Sequence, residues 1–223
     1  MNTTWGQTRN RNNTKRKRTL ENKEEESIED INIQDLPLFN LPSNTNETIS
    51  KKQNHLYFYD DVNTLNNLKF TKLLREIDND QQVKVLNGEI TEPTIHIHIN
   101  SGGGNLLDGF SMASSVNNCK SHTICYCEGI VASAATLPLV ICDERKMQQY
   151  CYILIHQLSS GFWGTYEKFS DEKTNLDNFM KQLTNIYSEY TDVPKRKLRE
   201  ILKHDLFWDY ETCLKYNIVD SMC

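Results

Sequence analysis

Short strand patterns alternate with helical patterns over most of the chain, and this alternation constrains the fold more than any other feature. Runs rich in aromatic and β-branched residues predict strands at 56–59, 94–99, 123–127, 150–155 and 218–219. Apolar residues with helical spacing predict helices at 62–77, 106–117, 133–141, 166–190, 193–203 and 210–216, and 79–92 reads as a polar connection. Strands that alternate with helices are typical of an α/β fold with a largely parallel sheet and right-handed crossovers.

The first 54 residues differ in composition from the rest of the chain. They contain few apolar side chains, and a basic run at 9–18 is followed at once by an acidic run at 21–30. Adjacent blocks of opposite charge are typical of a solvated tail. We therefore predict a disordered polar extension over 1–54, with a localisation signal or a removable pro-segment as alternatives, and one folded domain over 55–223.

Charge, cysteine content and hydropathy indicate which partners the chain can bind and in which cellular compartment it is expected. The 223 residues carry a formal net charge of −5, which argues against a nucleic-acid partner. The seven cysteines form no disulfide framework, which favours a reducing cytoplasm. Residues 1–20 contain no acidic side chain, as in a transit peptide, so location in an organelle is the alternative. The sequence lacks both a run of about 20 apolar residues and an apolar signal core, so we expect no membrane contact.

A serine among small residues is the first candidate for chemistry. Ser133 follows Gly129-Ile-Val-Ala and precedes Ala134 and Ala135, between a predicted strand and a buried helix. Free N–H groups and the partial positive charge at a helix N-terminus suit a developing oxyanion. The alternative interpretation is a serine that caps the helix. From this segment alone the two interpretations are equally good.

Three further segments complete a possible hydrolytic site. Asn100-Ser-Gly-Gly-Gly104 follows a strand and allows backbone conformations that other residues avoid. His156 ends an apolar strand, where it could serve as the base that a serine nucleophile needs; a histidine satisfied in the core is the alternative. Asp205 is the preferred carboxylate to orient that base, and Asp209 and Asp220 stay open as rivals.

Taken together, these segments resemble the proteolytic subunit of the caseinolytic (Clp) proteases from about residue 56 to residue 220. Asn100 to Gly104 is similar to the family's Asn-Ser-Pro-Gly-Gly, and Gly129 to Ser133 to its Gly-x-Ala-Ala-Ser. Ile155-His156-Gln157 resembles Ile-His-Gln, Asp205-Leu-Phe207 resembles Asp-Arg-Phe, and 211–220 resembles the closing Glu-Ala-x-x-Tyr-Gly-Leu-Val-Asp. The departures are Gly102 in place of proline, Asn105 in place of an apolar residue, and Ala-Ala after the serine.

The resemblance implies a fold, a site and an assembly. The fold would be the ClpP/crotonase-like βαβ superhelix, with 166–190 as a handle helix and 161–164 in a handle strand. Ser133 would be the nucleophile, His156 the base and Asp205 its orienting acid, with the N–H groups of Gly104 and Ala134 as the oxyanion hole. Stacked heptameric rings of this homo-oligomer would enclose a chamber, and polypeptide substrates would be supplied by an AAA+ ATPase unfoldase.

Other functions of the same superfold stay open at this point. A serine followed by Ala-Ala is also frequent in the Clp-like prohead maturation proteases of tailed phages. A catalytically silent ring subunit and a crotonase-type acyl-CoA enzyme are further alternatives, although neither needs the triad. We expect no cofactor and no metal, because His96 and His98 share one strand face without an evident third ligand. Cys125 and Cys127 are interpreted as two residues of a buried strand.

Overall fold

The computed structural model describes residues 47–223, and in them the predicted α/β fold is confirmed. Seven strands form one sheet in the order β1-β2-β3-β4-β5-β7, and β6 pairs with the far end of β4. The strand β1 is antiparallel to β2, and every other pair is parallel. The strands are β1 (Ile49–Lys52), β2 (His55–Phe58), β3 (Thr94–Ser101), β4 (His122–Ala132), β5 (Glu144–Met147), β6 (Tyr152–Leu154) and β7 (Ser221–Met222).

Six α-helices connect or follow these strands in the described part of the chain. They are α1 (Thr64–Leu86), α2 (Leu106–Asn117), α3 (Thr136–Ile141), α4 (Tyr166–Tyr190), α5 (Lys195–Ile201) and α6 (Tyr210–Lys215). The predicted bounds of α2 and α4 agree with the structure. Asn105, one of the departures from the family pattern, caps α2, because its Oδ1 accepts the N–H of Asp108 at 3.0 Å. No helix in residues 47–223 is long and apolar enough to cross a bilayer.

The core lies between one face of the sheet and the helices packed on it. Ile95, Ile97 and Ile99 of β3 are fully buried on this face, as are Cys125 and Cys127 of β4. Burying each isoleucine side chain contributes about 2 kcal/mol. The two cysteines therefore behave as small apolar side chains on one strand face, as interpreted from the sequence.

Two predicted boundaries at the N-terminal side are wrong. The segment assigned to a disordered extension contains β1, whose Ile49 is buried against the core, so order begins before residue 55; residues 1–46 lie outside the described part. Helix α1 continues to Leu86, through half of the predicted polar connection. Val83 and Leu86 are exposed there, so this stretch lacks the apolar stripe from which a helix is recognised.

Three strand predictions also need correction. Strand β5 was missed because its residues, Glu-Arg-Lys-Met, are mostly charged. Ile218 and Val219 are buried, but the final strand is β7, two residues later. No strand occurs between β6 and α4, where 161–164 was expected to supply a handle strand. A strand needs a ladder partner, and the single chain offers none at this position.

Candidate active site

Ser133 stands at a sharp turn between β4 and α3. Strand β4 ends at Ala132, and a single 3-10 turn, Ser133–Ala135, leads into the helix. Ser133 has φ +55°, a left-handed conformation that is uncommon for a residue other than glycine. Its hydroxyl does not cap the turn or the helix. The structure therefore shows a side chain held in a strained turn at the sheet edge, which is typical of functional sites.

Strand β6 brings His156 to the same sheet edge. It pairs in parallel with β4, and Ala132 is in register with Leu154, so the residues that follow both strands emerge side by side. His156 Nε2 lies 2.8 Å from Ser133 Oγ. The imidazole is partly exposed, with 27% of its side-chain surface accessible. It is therefore placed to accept the serine proton, and it is not a histidine satisfied in the core.

Asp205 approaches the other nitrogen of the same imidazole. It follows α5, and the main chain around it is fixed by the bond from Gln157 N–H to the Leu202 carbonyl, at 2.6 Å, and by the bridge between Ile153 and Trp208. His156 Nδ1 lies 2.6 Å from Asp205 Oδ1. When Nδ1–H donates to this carboxylate, Nε2 carries the lone pair that can accept from Ser133.

The two rival carboxylates have other partners. Asp209 caps α6, where its Oδ1 accepts the N–H of Thr212 at 2.9 Å. Asp220 binds Arg145, whose Nη2 lies 2.6 Å from its Oδ1. The same guanidinium donates to the carbonyl of Tyr190 and to Oδ1 of Asn217. Of the three candidates, Asp205 is the one that contacts His156.

The glycine loop 100–104 packs directly against the serine turn. A Cβ on Gly103 would lie 2.5 Å from the Ala132 carbonyl oxygen and 2.7 Å from Ser133 Cβ, so a side chain has no room there. Gly104 has φ +144°, and a Cβ on it would overlap the Val62 carbonyl. Gly103 is therefore required for the close approach of the loop to Ser133, and Gly104 for its close approach to Val62.

The two expected oxyanion donors flank this contact. Val62 N–H donates to the Gly103 carbonyl at 2.7 Å and Asn105 N–H donates to the Val62 carbonyl at 2.7 Å, so neither bond uses the Gly104 amide. Ala134 follows Ser133 in the first turn, where N–H groups have no intrahelical acceptor. Gly104 and Ala134 both line the cavity beside Ser133.

That cavity has a volume of about 380 Å³. Its far wall is one face of α4, formed by Glu172, Leu176, Phe179, Leu183 and Tyr187. Four of these five side chains are aliphatic or aromatic, so the wall suits an apolar group of a ligand.

A hydrogen-bonded pair that the sequence did not reveal connects α4 to the serine turn. Thr136 Oγ1 donates to the Ser133 carbonyl at 2.6 Å and lies 2.6 Å from the hydroxyl of the fully buried Tyr187. Burial raises the pKa of Tyr187, which keeps its hydroxyl protonated. Sequence reasoning placed Tyr187 in the apolar pattern of the helix but gave no sign of this contact.

Three of the cysteines lie in environments that disfavour the thiolate. Burial raises the pKa of Cys119 and of Cys151 to about 12, and it also raises that of Cys213. A thiol is nucleophilic as its thiolate. These side chains are therefore unreactive at neutral pH.

The sheet face opposite the core carries a cluster of imidazole and phenol rings. His98 is stacked between Tyr57 and Tyr126, with ring centroids 4.6 and 4.7 Å away. Its Nε2 lies 2.9 Å from His55 Nδ1, and its Nδ1 lies 2.9 Å from Glu128 Oε1. Across residues 47–223, no three His, Cys, Asp or Glu side chains are arranged to hold a metal ion.

The free energy of unfolding is expected to fall as the pH is lowered from about 6.5 to 4, because of this cluster. Burial, followed by repulsion from His55 and His96, lowers the pKa of His98 to about 4, so the unfolded chain takes up the proton first. The side chain is only 13% exposed, and the loss is on the order of 3 kcal/mol. The pKa of His96 is also lowered, chiefly by burial. Burial raises the pKa of Glu128, which offsets part of the loss.

Urea unfolding of the wild type and of His98→Phe, at neutral and acid pH, tests this expectation. Phenylalanine keeps the ring stack but does not titrate, so the difference in stability between the two pH values should shrink. Lys146 and Glu144 on β5 also face the cluster and are unchanged in both proteins. An equal pH dependence in both would contradict the role of His98.

Comparisons with known proteins agree with the fold. The ClpP1 structure of a Listeria monocytogenes variant superposes with a TM-score of 0.66, covering 77% of this chain and 91% of that one, at 17% sequence identity. At this identity the likeness establishes the fold alone: the molecule has the ClpP-type α/β architecture.

Sequence comparisons identify the family. The Clp protease family profile matches residues 44–223. The ATP-dependent Clp protease proteolytic subunit of Deinococcus radiodurans is 27% identical over 143 residues, which cover 63% of this chain and 70% of that protein. Proteolytic subunit 2 of Chlamydia pneumoniae is 29% identical, with the same coverage. This chain belongs to the Clp protease family, a family of peptidases.

Proposed function

We propose that the chain is a subunit of an ATP-dependent Clp-type serine endopeptidase with Ser133, His156 and Asp205 as its catalytic triad. The observation that carries this proposal is the continuous line of hydrogen bonds from Ser133 Oγ to His156, at 2.8 Å, and on to Asp205, at 2.6 Å. A serine is a weak nucleophile without such a base. Family membership supports peptide bonds as the target.

The roles follow from the geometry. Ser133 Oγ attacks the scissile carbonyl while its proton passes to His156 Nε2, which later donates it to the leaving amine. Asp205 holds the Nδ1–H tautomer and stabilises the imidazolium. The N–H groups of Gly104 and Ala134 stabilise the oxyanion, and removing one such donor typically lowers the rate by about 10²–10³-fold.

The active subunit is proposed to work in a closed assembly. Four aromatic side chains at the start of α4 and just before it are exposed: Phe162, Trp163, Tyr166 and Phe169. A cluster of this kind indicates an interface, which supports a homo-oligomer of stacked rings, heptameric by family resemblance. The sequence carries no Gly-x-x-x-x-Gly-Lys-Ser/Thr motif, so an AAA+ unfoldase partner would hydrolyse the ATP. We place this assembly in the cytoplasm or in an organelle.

A fluorophosphonate probe tests the proposed nucleophile. We expect the assembled protein to be labelled at Ser133, as mapped by mass spectrometry, and labelling to be lost in His156→Ala. Labelling at another residue would contradict the triad. If the assembled ring were not labelled, the alternative of a catalytically silent ring subunit would be favoured. Cleavage of folded capsid or scaffold proteins without ATP would favour the prohead protease.

Two variants, Asp205→Asn and Asp209→Asn, test which aspartate is the third residue of the triad. Asp205→Asn should lower kcat by about 10⁴-fold, because an amide at this position favours the wrong tautomer of His156. Asp209→Asn, which changes a helix cap four residues away, should lower kcat less than about threefold. The measurement is steady-state cleavage of a fluorogenic peptide. Equal losses in the two variants would refute the assignment of Asp205.

A further inference from the structure

A second and larger cleft adjoins the candidate active site at Gln157, the residue that follows His156. Its volume is about 1150 Å³, and its walls are the C-terminal half of α4 and helix α5. Five cations line it, together with one carboxylate and several amide or apolar side chains. These residues are Gln157, Asp177, Asn178, Met180, Lys181, Thr184, Asn185, Lys195, Arg196, Arg199, Leu202 and Lys203.

Most of the positive charge in this basic cleft is not neutralised by the protein. Asp177 is paired with Lys173, at 2.7 Å, and Lys203 with Glu200, at 2.8 Å. Within residues 47–223, no carboxylate lies within 4 Å of the other four cations, Lys181, Lys195, Arg196 and Arg199. Because the whole chain has a net charge of −5, this concentration of cations is a local feature.

The basic cleft is continuous with the candidate active site. Gln157 lines both the cleft and the cavity beside Ser133, and it directly follows His156. Its N–H donates to the carbonyl of Leu202, at 2.6 Å, which fixes the catalytic strand to the end of α5. An extended chain bound at Ser133 can therefore pass over Gln157 into the cleft.

The lining of the cleft indicates the chemistry of its ligand. Unpaired cations attract carboxylates, and Gln157, Asn178 and Asn185 offer amide groups that match those of a peptide backbone. Among the described residues that line the cleft, none is aromatic, so none offers a ring on which a nucleic-acid base could stack. Met180 and Leu202 supply the apolar part of its floor.

We propose that this basic cleft is a binding site for acidic segments of polypeptide substrates, on one side of the scissile bond. The inference rests on the proposed peptidase function. Segments rich in aspartate and glutamate next to the cleavage site are held by Lys181, Lys195, Arg196 and Arg199. Such substrates are therefore cleaved more efficiently than neutral or basic ones.

Binding can be measured independently of catalysis. The assembled full chain carrying Ser133→Ala is titrated into a dye-labelled 12-residue peptide of alternating glutamate and glycine, and anisotropy is recorded. Arg196→Glu with Arg199→Glu should weaken binding about tenfold or more, and raising the salt from about 0.05 to 0.3 M should also weaken it. Lys168→Glu with Lys197→Glu, the same charge change at exposed sites outside the cleft, should change binding less than about twofold.

Three results would overturn the proposal. The first is equal loss of affinity in the cleft and control variants. The second is tighter binding of a 12-nucleotide single-stranded DNA than of the peptide, which would indicate a nucleic-acid site. The third is a changed oligomeric state of the cleft variant in sedimentation, which would indicate an interface between copies.

A hydrolysis assay separates this inference from the proposed function. With Ser133 intact, the cleft variant should lose about tenfold in kcat/KM on a peptide with an acidic flank and keep its rate on a short neutral peptide. Loss on both peptides would refute the binding role. If the wild type cleaves neither peptide and Ser133 is not labelled, the proposed function fails, while the anisotropy titration still decides whether the cleft binds acidic segments.

Discussion

Replacing Ser133 with alanine is expected to lower kcat/KM for a short peptide by about 10⁴-fold or more, with no change in assembly. The substitution removes the one oxygen that lies 2.8 Å from His156 Nε2. Without it, only binding and the backbone donors remain, and water attacks the peptide bond slowly. The alanine adds no atoms, so the turn between β4 and α3 keeps its packing. The measurements are initial rates and sedimentation velocity.

Ser159→Ala is the matched control, because Ser159 lines the same cavity, whereas the hydroxyl that lies next to His156 Nε2 is that of Ser133. Its kcat/KM should stay within about threefold of the wild type. If Ser133→Ala kept activity within tenfold of the wild type, the nucleophile would have to be sought among other residues.

The substitution Gly103→Ala is expected to lower both activity and stability through packing alone. The added methyl group would meet the Ala132 carbonyl at 2.5 Å and Ser133 Cβ at 2.7 Å, and φ at this position is +93°. The loop backbone and Ser133 cannot both stay in place, so either Ser133 leaves His156 or the loop withdraws the proposed oxyanion donor, the N–H of Gly104. We expect kcat to fall by about 10²-fold or more, as for other losses of an oxyanion donor, and the free energy of unfolding to fall by about 2 kcal/mol.

Gly102→Ala is the control for this second prediction. It is the adjacent residue in the same loop, its φ is not positive, and a Cβ there meets nothing within 4 Å. Activity and the urea midpoint should therefore be close to those of the wild type. If Gly102→Ala and Gly103→Ala lost activity and stability to a similar extent, the effect could not be attributed to the contact between Gly103 and Ser133.

The sequence predicted the parts of the fold in which periodicity is strong. The alternating isoleucines of β3 and the regular apolar spacing of α4 are such cases, because burial on one face leaves a regular pattern. Strand β5 and the end of α1 were missed for the opposite reason. Their residues are polar, and their conformation is fixed by neighbouring strands and by helix propensity, which leave no apolar pattern.

For the candidate site, the sequence suggested which residues take part, but it could not show which of their side chains are in contact. It favoured Asp205 but could not exclude Asp209 and Asp220, because all three follow α5 within 16 positions of each other. The choice depends on which carboxylate approaches His156 in three dimensions. The basic cleft was also invisible in the sequence, because its cations come from two helices separated by a bend at 191–194.

The burial of the Arg145 guanidinium affects how far the chain can fold while it is still being synthesised. The Arg145 side chain is buried in the sheet, and the carboxylate that neutralises it comes 75 residues later in the chain. A growing polypeptide emerges from the ribosome with its N-terminal part first. Until Asp220 has emerged, β5 carries a buried charge without its counterion, which costs several kcal/mol. Nascent chains that stop short of this residue are therefore held back from completing the sheet, so the folded domain forms only after synthesis has passed Asp220.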